Sequence, residues 1–408
     1  MRPLTFLFAC LILATGTRAQ DLQQLGVIEK SETKIIDVRV EKLDSGNRSF
    51  IFLFEEKGGL EVYDTERNLV LKQPPGQACV HWESGYLHHG RLYCLAPEFT
   101  AVDFSAPAPV SRRISSVGLD VKNSEHLLGF EVGGKEFLAA DNRTGIDLYT
   151  LPELTRIAAI ARDDPQTGIG RCIEFSGNTV FYTNRDNEVA AYDCSVKRVI
   201  WKVNAGSKSP KFLGISLGTK SNLILNLALN RRNGLLYANT IFGDLFKIRI
   251  SDGSVILRKD QFRGTGNNAG LLTNLAFQDL NGDGKLEIVA PSVDNNVYCL
   301  NADDFSVIWA YDAGNEVQRP LAFRDVTGDG TPDVFAVSDY DLKLSIIDGV
   351  RGTRLYEKNF EKEDKFNQTS VGIAECSGGP PLRLVVQTGW RMVRMFDLSG
   401  FESGLRRK

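Results

Sequence analysis

Beyond its first nineteen residues the chain has no apolar run that approaches the ~18 uninterrupted residues needed to cross a bilayer, so no spanning helix is expected in the mature protein. It has no clustered basic stripe either, which argues against nucleic acid as the main partner. Histidine is scarce, with four in 408 residues. His81, His88 and His89 lie close together, but their hairpin spacing does not fix three metal ligands on one face. No GxSxG elbow, HExxH helix or phosphate-binding loop is present. Compositional bias is absent too: 42% hydrophobic and 24% charged residues is ordinary for a globular protein and does not point to disorder.

What is present begins with an export signature. Arg2 precedes an apolar run from Leu4 to Ala14, and Thr17 and Ala19 occupy the positions a signal peptidase reads. Residues 1–19 are therefore read as a signal peptide and residues 20–408 as the soluble, exported chain. Loss of Arg2 and Arg18 takes the formal charge from −3 to −5. Sequons at Asn47, Asn142 and Asn367 fit a secretory route if they are glycosylated. Cys79, Cys94, Cys172, Cys194, Cys299 and Cys376 remain after cleavage, too few for a disulfide scaffold in so long a chain. In the hairpin "CVHWESGYLHHGRLYC", pairing Glu83 with Gly90 would set Cys79 opposite Cys94, the one disulfide expected here. Cys172 and Cys194 fall at opposite ends of two strands and are not paired.

The organisation is repetitive. "LAFQDLNGDGKLEIVAPSVDNNVYCLNADDFSVIWAYDAG" starts at Leu275, and "LAFRDVTGDGTPDVFAVSDYDLKLSIIDGVRGTRLYEKNF" starts at Leu321. Their spacing of about 46 residues suits one four-stranded propeller blade. Weaker copies of the skeleton, with Trp201 matching Trp309, give blades near 33–73, 77–116, 125–161, 169–204, 211–260, 271–313, 317–360 and 369–398. The last has three strands, and "LGVIEK" at 25–30 is expected to supply the fourth. The fold class is thus all-β, a single propeller of eight four-stranded blades closed by an N-terminal strand, with seven blades as the alternative.

"DLNGDGKLEIV" and "DVTGDGTPDVF" resemble the loops of the FG-GAP/VCBS family of calcium-loop propellers, of which the integrin α-chain head is a familiar member. The "VIW...AG" strand ends are similar to quinoprotein-type propellers, without the adjacent cysteine pair that grips the quinone. Calcium takes six to eight hard oxygens. Asp279, Asn281, Asp283 and Glu287 would supply side chains in the first loop, with Lys285 giving its backbone carbonyl. The second loop offers Asp325, Thr327, Asp329, Asp333 and the carbonyl of Thr331. An EF-hand would carry its closing glutamate at position twelve, where Ala290 and Ala336 stand; here the acid is at position nine and a strand follows. Equivalent turns elsewhere have lost the pattern, as in "LDSGNRSF" and "LNRRNGLL". Two structural calcium ions, serving the fold rather than catalysis, are therefore expected.

Long links between blades are the expected binding rim, on the face opposite the acidic loops. Lys208, Lys211, Arg263, Asn267 and Asn268 are its polar candidates, and Asn142 and Asn367 share that face. The expected function is a secreted, calcium-stabilised binding or adhesion module for carbohydrate or an extracellular protein, with no direct membrane insertion. The alternative is a secreted propeller enzyme such as a polysaccharide lyase; no catalytic residue is assigned.

Overall fold

The short apolar segments, punctuated by Gly, Asn and Asp turns, fold as antiparallel strands in a computed structural model. It describes residues 21–30, 33–43, 48–74, 85–88, 90–94, 100–104, 109–113, 124–142, 145–153, 155–163, 173–185, 187–208, 211–212, 215–216, 219–260, 262, 272–361, 369–376 and 379–405. Eight four-stranded sheets use the chain in order. Seven are consecutive meanders over 35–73, 85–113, 124–161, 173–204, 224–259, 276–312 and 322–359. The eighth joins Ser370–Cys376, Gly379–Gly389 and Met392–Asp397 to Gln24–Glu29, with Val27 opposite Arg394 and Ile28 opposite Val393. The molecule is an all-β, eight-bladed propeller closed by its N-terminal strand, and the seven-blade alternative is ruled out.

Second and third strands are covered on both faces by neighbouring blades, so they read as near-continuous apolar runs. Glu287–Pro291, Asn296–Leu300 and Asp333–Val337 are buried at every position. Fourth strands lie at the circumference, and Arg198–Asn204 is mostly exposed. The core is accordingly a ring of apolar wedges between blades. Phe52, Phe54 and Val62 of blade one meet Leu92, Val102 and Phe104 of blade two. At the closure, Ile28, Val385 and Met395 of blade eight meet Ile35, Val38 and Leu53 of blade one.

The matching tryptophans have one structural role. Trp201 Nε1 donates to the Ile250 carbonyl at 2.9 Å, and Trp309 Nε1 to that of Gly349 at 2.9 Å, each in the next blade. Their rings cover Gly253 (φ 72°) and Gly352 (φ 65°), where a Cβ would come within 2.7 Å and 2.5 Å of the indole. A turn needing positive φ and an indole needing a flat seat both select glycine there.

Two expectations need correction, the start of blade five and the register of the blade-two hairpin. Blade five begins at Ile224 rather than 211, and Ser207–Lys208 pairs with Lys220–Ser221 while Lys211–Phe212 pairs with Ile215–Ser216 in small ladders outside the blade. The hairpin of blade two closes at Gly90 (φ 74°), and Gly85 lies opposite Cys94, a register tighter than the expected pairing of Glu83 with Gly90. This register places Leu87 against Leu92 in the apolar wedge, a gain the wider loop would forfeit. Cys94 is disulfide-bonded; Cys79 and Cys172 lie outside the described residues, and Cys194, Cys299 and Cys376 are free. Finally, Leu398–Leu405 forms a helix that buries Leu398 and Phe401, with Phe401 edge-on to Tyr356 at 5.2 Å. Among the described residues no helix is long and apolar enough to cross a membrane.

Candidate functional site

Both acidic loops join the first and second strands of their blades. The first links Ala276–Gln278 to Glu287–Pro291, and the second links Ala322–Arg324 to Asp333–Val337. The position-nine acids sit at the loop mouths, Glu287 paired with Gln278 and Asp333 with Arg324. Alternate acidic or amide residues around glycines produce nested turns, each side-chain oxygen accepting an amide N–H two to five residues on. Asp279 accepts from Gly282 and Gly284 at 2.8 and 2.9 Å, Asn281 from Asp283 at 2.9 Å, and Asp283 from Lys285 at 2.7 Å. In the second loop Asp325 accepts from Gly330 at 3.0 Å, and Asp329 accepts from the Thr331 amide and hydroxyl at 2.9 and 2.6 Å. The Thr327 hydroxyl lies 3.4 Å from Asp325.

The closing acids are the buried members. Glu287 accepts from the Leu280 amide at 2.8 Å. Burial raises its pKa despite that bond, and Asp283 and Asp279 add to the rise. Asp333 is wholly buried, accepts from Val326, Thr327 and Gly349, and is pushed up to about 6 by burial. Asp329 is exposed, and the hydroxyl and amide of Thr331 outweigh its slight desolvation and hold it below its usual value.

Among the described residues, no three His, Cys, Asp or Glu side chains are gathered in metal-binding geometry as the loops stand. The donor chemistry nevertheless fits a hard cation. Asp283 Oδ2 and Glu287 Oε1 are engaged within the loop by the Asn281 amide alone, at 3.3 Å in both cases, contacts an ion would readily displace. Asp279, Asn281, Asp283 and Glu287 are the side chains that could hold it, with Asp325, Thr327, Asp329 and Asp333 in the second loop. The Lys285 side chain is 74% exposed and turned toward Asp303.

Beside the first loop lies a cleft of about 410 Å³, bounded by the blade-five turn at Arg232 and Asn233 and the blade-six turn at Asn301 and Asp303. Arg232 Nη1 donates to the Gly284 carbonyl at 3.2 Å, crossing from blade five to the acidic loop of blade six. Asp303 is bridged by Lys247 at 3.2 Å and Lys285 at 3.5 Å, and the Lys247 bond holds its carboxyl below the usual range. A smaller cavity of about 170 Å³ lies at the inner strands, where Glu174 faces Asn226 and Asn274. Glu174 pairs with Arg231 at 3.6 Å.

The sequence places both loops between first and second strands, as found, but does not show this cleft. As a sequence "LNRRNGLL" shows only a turn without ligands, whereas ring order sets it beside the loop that has them. Of the rim candidates, Lys208 and Lys211 lie in the small ladders, and Arg263, Asn267 and Asn268 lie outside the described residues. Asn47, Asn367, His81 and His89 also lie outside them, while Asn142 ends the second strand of blade three, opposite the acidic face.

Residues 279–336 match the FG-GAP-like repeat model. A 70-residue stretch is 40% identical to lambda-carrageenases of Pseudoalteromonas sp. and Pseudoalteromonas carrageenovora, taking in 17% of this chain and 7% of the enzymes. Among solved structures, Saccharomyces cerevisiae Sqt1 is similar at TM-score 0.64 and 9% identity, over 93% of this chain and 99% of that one. BamB of Moraxella catarrhalis gives 0.55 and 15%, over 92% and 100%. The computationally designed Ika8 gives 0.60 and 14%, over 92% and 99%. These likenesses bear on the fold alone. Geometry and comparisons agree that this chain is an eight-bladed β-propeller carrying an FG-GAP-like repeat across blades six and seven.

Proposed function

We propose that the protein is a secreted binding module that takes carbohydrate on its acidic-loop face, with calcium in the two loops stabilising the fold. The observation that carries this reading is the polar cleft beside the first loop. Its volume lies in the range of small-molecule sites, and its lining of amides and charges of both signs, with the apolar Ile308, suits a ring that shows hydroxyls and C–H faces. This reading puts the binding surface on the acidic-loop face, where the sequence alone suggested the opposite rim. Secretion rests on the sequence of residues 1–19, and calcium on the donor set. An extracellular protein partner is the remaining form of the same reading.

The test is binding to a glycan array in calcium and again in EGTA. Calcium-dependent binding to a defined sugar class supports the module; no binding by folded protein in calcium counts against it.

A second reading, a polysaccharide-degrading enzyme, is favoured by the lambda-carrageenase similarity, although that match spans a small part of the enzyme. New reducing ends after incubation with a bound polysaccharide would select the enzyme; intact polymer would select the module.

A further inference from the structure

We propose that the cleft between blades five and six takes an anionic sugar unit, carboxylated or sulfated, whose charged group docks on Arg232; this rests on the carbohydrate reading above. The cations around the cleft are not equivalent. Lys247 and Lys285 both turn to Asp303, which cancels one of their two charges and draws both ammonium groups toward a carboxylate. Arg232 is exposed, and its guanidinium has one contact among the described residues, the Gly284 carbonyl at 3.2 Å. A carbonyl orients the fork without cancelling its charge. The remaining N–H donors suit the two parallel oxygens of a carboxylate or sulfate.

The other lining groups match the rest of such a ligand. Asn233 and Asn301 stand at the cleft edges with amides for hydroxyls, and Ile308, 47% exposed, offers an apolar patch to a ring face. The carboxylates lining the cleft are Asp283 and Glu287 of the acidic loop, with Asp303 held by its two lysines. A divalent cation in that loop would offset their repulsion of an anion, and Arg232 is tied to the same loop through Gly284. Cation and anionic sugar should therefore bind cooperatively, each raising the affinity of the other by the same factor.

The test is calorimetric titration of the full mature chain in calcium with four probes: a hexagalacturonate, its methyl ester, a sulfated-galactan hexasaccharide and its desulfated form. A charged probe is expected to bind at least about tenfold more tightly than its uncharged counterpart, and the arm that does so names the anion. Arg232→Gln should erase that difference, and Arg232→Lys, which keeps the charge but loses the fork, should retain part of it. Thermal melts verify that both variants fold, and the Lys variant carries the test if the Gln variant does not. Equal binding of charged and uncharged partners, or undiminished preference in the folded Gln variant, overturns the inference and leaves the carbohydrate reading standing. Binding of uncharged probes alone does the same. Failure of all four probes, together with a blank array, overturns both.

Discussion

Asp339 has two carboxyl oxygens with different surroundings. One accepts from the Thr369 amide at 3.2 Å and hydroxyl at 2.8 Å, clasping blade seven to the start of blade eight; the other is buried and has no hydrogen-bond partner among the described residues. Burial pushes this carboxyl up to about 6, against the pull of Thr369 and Arg319. The folded state therefore holds the proton more tightly than the unfolded chain. The contribution of Asp339 to stability is full below about pH 4 and is lost as pH rises through about 6. Asp339→Asn keeps the acceptor and removes the charge. Relative to wild type, the variant should gain on the order of 2 kcal/mol between about pH 4 and pH 7, read from melts at both. An unchanged difference would show that Asp339 does not titrate in this way. The indole seats give a second prediction at this scale. Gly352→Ala combines φ 65° with a Cβ 2.5 Å from Trp309, and should cost about 2–3 kcal/mol in denaturant unfolding. In Trp309→Ala the clash is gone, so the double variant should be less destabilised than the sum of the two.

Strands and loops show where the sequence was readable. Blades six and seven were legible because their loops share the D-x-x-G-D-G spacing with an acid at position nine, and the closing strand because blade eight was one strand short. Fourth strands carry a further regularity: the register slips at Ile200, Ile256 and Ile308, leaving each as a bulge residue 39%, 44% and 47% exposed. Bulges twist an exposed edge away from flat pairing, which offsets the hazard of apolar side chains there. The hairpin around Cys94 was misread because cysteine pairing was allowed to set a register that Leu87 and Leu92 actually set. The small ladders after blade four and the C-terminal helix left no periodic signal to read. The closing strand also makes a prediction. Deleting residues 1–30 strips the edge of Met392–Asp397 and part of the wedge around Ile28, Val393 and Met395. The truncated chain should melt lower and self-associate in light scattering, whereas an unchanged melt would mean the strand does not close the ring.

At the scale of the molecule, each blade is held by its two neighbours, so a local change is felt around the ring. The two acidic loops sit on adjacent blades of one face, and the cleft opens beside the first. That adjacency was the part of the site the sequence concealed, since Arg232 and Asp283 are neighbours only once the blades are placed in order. The same placement links the loops to stability. An ion that binds the folded loops and not the unfolded chain would add about 2.7 kcal/mol per site at a hundredfold excess over its Kd. Calcium titration of the metal-stripped chain by calorimetry, paired with melts in calcium and EGTA, tests this most directly. Two ions per chain are expected, falling to one in Asp279→Ala and in Asp325→Ala, with a higher melting point in calcium. No binding heat and the same melt in EGTA would contradict a calcium-stabilised propeller.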